Sequence, residues 1–97
     1  MKLEHLRQSI DQLNAEIIML LSKRMEIVIE VAKVKKEHNL PVDDPVREEE
    51  QRRLLRELAR KHGLSPAVIE EMFTLFIDYT KLNMKMEMGN ESRLPRN

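Results

Sequence analysis

The sequence contains no cysteine, so disulfides and thiolate metal sites are excluded. Its three histidines, His5, His38 and His62, lie far apart and show no ligand spacing, so no metal is expected. Net charge is lacking too: seventeen Lys and Arg balance seventeen Asp and Glu, with no basic block. A nucleic-acid partner held by phosphate neutralisation is therefore not expected. There is no run of the ~18 apolar residues that a membrane helix needs. Glu4 and His5 stand where a signal peptide would begin its apolar region. A soluble cytoplasmic protein with no membrane partner is the expectation. Glycine occurs twice, and the aromatic residues are Phe73, Phe76 and Tyr79. With so few turn formers and so much Leu, Glu, Lys and Arg, the fold class is all-α. At 97 residues the chain holds one small domain with little core of its own.

What the chain does have is a seam. From Leu3 to about Lys36 apolar residues recur at Leu3, Leu6, Ile10, Leu13, Ile17, Leu20, Ile27, Val31 and Val34, and the gap in the series falls on Arg24. The spacing predicts one long helix packed against other helices along most of its length. An arginine set into such a seam needs an anionic partner, because an isolated buried charge is not tolerated. No Gly or Pro interrupts Lys2 to His38, so the helix exceeds ~50 Å. A compact domain of this size is only ~30–35 Å across. One protomer cannot cover that helix, and the expected assembly is an oligomer along it, in its simplest closed form a two-fold homodimer.

Pro41 breaks the pattern. Asp44 and Pro45 then read as the N-cap and first position of a second helix, about Pro45 to His62, polar but for a stripe of Val46, Leu54, Leu55 and Leu58. Gly63 supplies a left-handed cap, and Ser65-Pro66 repeats the start signal. A third helix, about Pro66 to Met88, carries Ile69, Met72, Phe73, Phe76, Ile77 and Thr80 on its expected inner face; Met84, Met86 and Met88 read as its fraying end. The expected architecture is three helices, one very long, in a domain spanning 1–88, with a disordered tail over 89–97.

Arg24 and Lys35, eleven residues apart, lie about 20° apart around the helix and ~16 Å apart along it. Two long cations leaning together can bracket a small anion. The same spacing also fits a polar seam residue that fixes register, with Lys35 merely solvated. Arg7 is ~25 Å from Arg24 along the helix and about 100° off in direction, so both cannot hold one ligand within a chain. In an antiparallel two-fold pair the partner's Arg7 can arrive beside Arg24; otherwise Arg7 is a surface residue. Asp44 suits a cap and Glu48 the dipole of the second helix. Arg47, a cation in a first turn, has no such local reason.

The phrases L-R-x-x-I-D-x-L at Leu6 to Leu13, L-L-x-x-R at Leu20 to Arg24, V-x-x-x-K at Val31 to Lys35 and P-V-x-D-P-x-R-E at Pro41 to Glu48 stand in order here. With the G-L-S-P start of the third helix, they resemble the all-helical chorismate mutase family, over about Leu3 to Met88 without a gap. The resemblance implies a stand-alone chorismate mutase working as an intertwined homodimer, each site built mostly from one protomer. It implies that Arg24 and the partner protomer's Arg7 hold the carboxylates of dianionic chorismate, while Lys35 meets a carboxylate and the ether oxygen. Arg47 would add positive charge, Glu48 with Asp44 would take the ring hydroxyl, and Thr80 stands at a small polar position near a carboxylate. The reaction implied is the Claisen rearrangement of chorismate to prephenate, in phenylalanine and tyrosine biosynthesis, with no cofactor. One position departs: where the family has a Gln or Glu that hydrogen-bonds the ether oxygen, this sequence has Met84, a weak acceptor and no donor. Two alternatives remain at this point: isochorismate pyruvate lyase on a similar fold, and a weakly active or inactive helical dimerisation or regulatory module.

Overall fold

The computed structural model describes residues 1–89, which form three α-helices: α1 over Lys2–Glu37, α2 over Pro45–Lys61 and α3 over Pro66–Gly89. The molecule measures 55 × 30 × 17 Å, its long dimension set by α1. Its radius of gyration is 16.6 Å, against ~12–13 Å for a compact domain of this length. Much of α1 therefore extends beyond the body formed with the other helices. No helix among the described residues is long and apolar enough to cross a membrane.

Local chemistry places each helix end. Asn39 takes a left-handed conformation (φ 55°), and Leu40 N–H donates back to the Lys35 carbonyl at 2.8 Å, closing α1. Asp44 Oδ1 accepts from Arg47 N–H at 3.1 Å and Pro45 occupies the first helical position, so α2 starts where its cap is. Gly63 (φ 73°) ends α2 in the same way, with Leu64 N–H on the Ala59 carbonyl at 2.8 Å. Ser65 Oγ then accepts from Val68 N–H at 3.3 Å to open α3.

The central element is α3, which packs against both α1 and α2. The buried set is thin: Ala32, Ala59 and Met84 among apolar residues, with Thr80 and Asn83 among polar ones. Three expectations about faces need correcting. Within the chain, every seam residue of α1 remains exposed, Leu6 at 52%, Leu13 at 56% and Ile27 at 65% among them. The sector that α3 covers instead runs through Leu21, Met25, Val28, Ile29 and Ala32, rotated around α1 so that Arg24 and Lys35 lie on its edge. On α2 only Leu55 of the expected stripe is half-buried; Val46 is 82% exposed, and the inner face is Glu48, Gln51, Arg52, Leu55 and Ala59. On α3, Met72 points outward, since the helix meets its neighbours through Ile69, Phe73, Phe76, Ile77 and Thr80.

α3 stays helical through Gly89, the first residue of the expected tail, with Met84 buried. The rest of that tail, residues 90–97, lies outside the described residues.

Candidate active site

The second half of α1, the loop after it, the start of α2 and the end of α3 enclose an open cleft of about 200 Å³. Arg24, Lys35, Asp44, Arg47, Glu48, Thr80 and Met84 all line it. Arg7 does not. It lies toward the far end of α1, exposed and paired with Glu4 at 3.2 Å.

Arg24 is the least satisfied of these groups. Its Nη1 is buried with no hydrogen-bond partner among the described residues, and its guanidinium sits 5.6 Å from the centre of the Phe76 ring. Burial first, and then the Arg47 charge, pull its pKa below the ordinary arginine value. The guanidinium remains charged all the same. A buried cationic donor that lines a cleft and is not paired by the protein suits an anionic ligand.

The neighbouring cations are held in place by the protein. Lys35 Nζ donates to the Val42 carbonyl at 2.8 Å, which docks the loop against α1 and leaves other ammonium protons for a ligand. Arg47 uses its backbone N–H for the α2 cap and pairs its guanidinium with Glu50. Glu48 Oε2 accepts from Asp44 N–H at 3.3 Å and from Lys81 Nζ at 2.9 Å. The hydrogen bond from Lys81 is the main reason that the Glu48 carboxyl titrates below its ordinary range.

Thr80 is buried, and its hydroxyl donates to the Ile77 carbonyl at 2.7 Å, so it meets a ligand as an acceptor unless it rotates. Met84 lines the cleft, whereas neither Asn83 nor Glu87 does. The buried Asn83 amide is spent on the Tyr79 carbonyl at 3.1 Å. The departure from the mutase motif noted in the sequence therefore faces the cavity.

Sequence reasoning missed Lys81 and Gln51, which also line the cleft. The available signal was weak: Lys81 stands four residues after the half-buried Ile77, a cation where the inner face continues. Lys81 makes a second ion pair with Asp43 at 3.0 Å. The cleft lining thus carries four cations, Arg24, Lys35, Arg47 and Lys81, against two carboxylates, Asp44 and Glu48. Asp43 on Lys81 and Glu50 on Arg47 offset two of these cations, which leaves Arg24 and Lys35 with no carboxylate partner among the described residues and free to meet a small dianion.

Residues 6–85 match the chorismate mutase type II family. The chain belongs to this family. Among relatives of this chorismate mutase type II chain, the T-protein of Haemophilus influenzae is 41% identical over 75 residues, which make up 77% of this chain and 20% of that protein. The chorismate mutase of Methanocaldococcus jannaschii is 27% identical over 84 residues, 87% of this chain and 85% of that protein. A bifunctional chorismate mutase/prephenate dehydratase of Buchnera aphidicola is 33% identical over 79 residues, 81% of this chain and 21% of that protein. The chain thus spans about a fifth of the two larger relatives and most of the Methanocaldococcus one. These matches favour neither a lyase nor an inactive module.

Proposed function

We propose that the protein is a chorismate mutase, rearranging chorismate to prephenate in the cytoplasm on the route to phenylalanine and tyrosine. The observation that carries this reading is Arg24: a buried Nη1 with no hydrogen-bond partner among the described residues, lining one cleft with Arg47 and Lys35. Family membership supplies the substrate; the cleft supplies a chemical reason to bind it.

Chorismate carries two carboxylates and an enolpyruvyl ether. Arg24 holds one carboxylate through the guanidinium fork, a geometry that lysine cannot reproduce. Lys35 reaches a carboxylate and the ether oxygen, and Arg47 adds positive potential. Glu48 and the Asp44 cap accept the ring hydroxyl, with Thr80 near a carboxylate. The rearrangement is unimolecular, so holding the enolpyruvyl arm over the ring removes much of the entropic barrier. Cations aimed at the ether oxygen stabilise the charge that develops as its bond to the ring breaks. Met84 contributes no donor there, so the rate rests on Lys35 more heavily than in the family pattern.

The working form is an intertwined homodimer of domains spanning 1–88, with Arg7 of each protomer completing the other's site. Its support is the apolar seam of α1: Leu3, Leu6, Ile10, Leu13, Ile17 and Leu20 are each about half exposed in the single chain. Fully burying an exposed side chain of this kind contributes ~1.5–3 kcal/mol and each of these has about half of that left to gain, so a second copy laid along all six still gains more than one ion pair could give.

Incubating purified protein with chorismate and following substrate loss and prephenate formation tests the activity; no turnover would refute it. Sedimentation tests the assembly, where a folded monomer at micromolar concentration would refute the dimer. Arg7→Ala is expected to lose activity while keeping the dimer.

A further inference from the structure

Lys81 is the charged group of the cleft that the mutase reading leaves without a role. Its Nζ lies 2.9 Å from Glu48 Oε2 and 3.0 Å from Asp43 Oδ1, so one ammonium ties α3 to the start of α2 and to the preceding loop. One residue earlier, the Val42 carbonyl accepts from Lys35 of α1. Two lysines from two helices thus pin adjacent residues of the loop that walls the cleft.

We propose that Lys81 is a positioning residue that sequesters the Glu48 carboxylate and so keeps the anion-binding cations free for substrate. Glu48 shares the cleft with Arg24, Arg47 and Lys35. A carboxylate released there would find a cationic partner, since pairing relieves the cost of the unpaired buried Arg24 donor. The substrate would then have to displace an internal anion before it could bind. With Lys81 in place, Oε2 is occupied by Lys81 and the Asp44 N–H, and Oε1 makes no hydrogen bond among the described residues and remains an acceptor. Lys81 is suited to this task because it is itself only 24% exposed, which weakens solvent competition for its two carboxylates.

This inference rests on the mutase reading, and a double-mutant cycle separates the two. Lys81→Met, Glu48→Gln and the double variant are assayed with chorismate beside the wild type. Lys81→Met is expected to raise KM by about tenfold or more, the scale of one hydrogen bond to a charged group, with kcat changed by a smaller factor. In the Glu48→Gln background the same replacement should cost less than about threefold, because no free carboxylate is left to compete. Lys81→Arg, which can still bridge both carboxylates, should restore most of the affinity. Additive losses across the cycle, or a loss in Lys81→Met confined to kcat, would overturn the role of Lys81 and leave the mutase reading standing. Absence of turnover in the wild type would overturn the reading itself, and the Lys81 role with it. Circular dichroism melts of each variant identify any that fails to fold; in that event Lys81→Arg and Asp43→Asn carry the test, a KM for either one raised tenfold over wild type counting against it.

Discussion

Replacing Arg24 by methionine is expected to stabilise the protein while abolishing its activity. In the structure Arg24 Nη1 is buried without a partner, and a donor left unmade in this way costs ~1–3 kcal/mol, more when the group is charged. Stacking on Phe76 offsets part of this, ~0.5–1 kcal/mol for a cation over an aromatic ring that is not fully desolvated. Relief of the repulsion from Arg47, which after burial is the second cause of the lowered Arg24 pKa, adds to the gain. Methionine fills a similar volume and continues the apolar seam of α1. The balance is a gain of ~1 kcal/mol or more, which in a domain of this size raises Tm by ~4–8 °C. Calorimetry without substrate measures the stability, and chorismate consumption measures the activity. Added prephenate should raise the Tm of the wild type and not that of the variant, because only the wild type offers the anion its guanidinium. A Tm below that of the wild type, or turnover within tenfold of it, would refute the view that Arg24 is held at a cost to the fold for the sake of an anion.

Met84→Gln should raise kcat for chorismate by at least about tenfold, a fraction of the ~10²–10³ that one preorganised donor is worth, and an unchanged kcat in a folded variant would show that another group serves the ether oxygen. The trio of Lys81, Glu48 and Asp43 sets a pH dependence: both carboxyls titrate below their ordinary values because of Lys81, so their contribution is complete above pH ~4–5 and is lost as pH falls through their folded values. Lys81 itself is raised above its ordinary ~10.4, so its share is complete below that pH and is lost only as pH climbs through the higher folded value. Thermal melts between pH 7 and about pH 3 should therefore show a loss of Tm that is smaller in Lys81→Met; equal losses would count against the linkage. Asn39→Ala should cost roughly 1 kcal/mol in denaturant unfolding, since a residue with a Cβ and no compensating amide is strained at φ 55°.

The helix ends were legible because each is a local matter. Asp44-Pro45, Gly63 and Ser65-Pro66 name the breaks through backbone rules that involve a few neighbours, and the observed helices begin and end within a residue or so of them. The cation spacing on α1 was legible for the same reason, since a rigid helix fixes the relative bearing of Arg24 and Lys35 whatever surrounds it. Faces were less legible. The stripe of Val46, Leu54 and Leu58 looked like the buried side of α2, yet α2 turns Glu48, Gln51 and Leu55 inward, because the cleft it helps enclose needs polar lining. Lys81 escaped notice because its importance lies in Asp43 and Glu48, more than thirty residues earlier in the chain.

The sequence by itself determined that the protein is three helices, where they stop, and that one long seam carries a misplaced arginine beside a lysine on the same bearing. Those properties follow from periodicity and capping, which act over one to three turns. Only the tertiary structure decided which sector of each helix is covered, that Met84 and not Asn83 faces the cavity, and that Lys81 rather than a substrate-binding cation holds Glu48. Such choices depend on the angle and rotation at which α3 lies between α1 and α2, and packing at a distance sets these where local preference is silent.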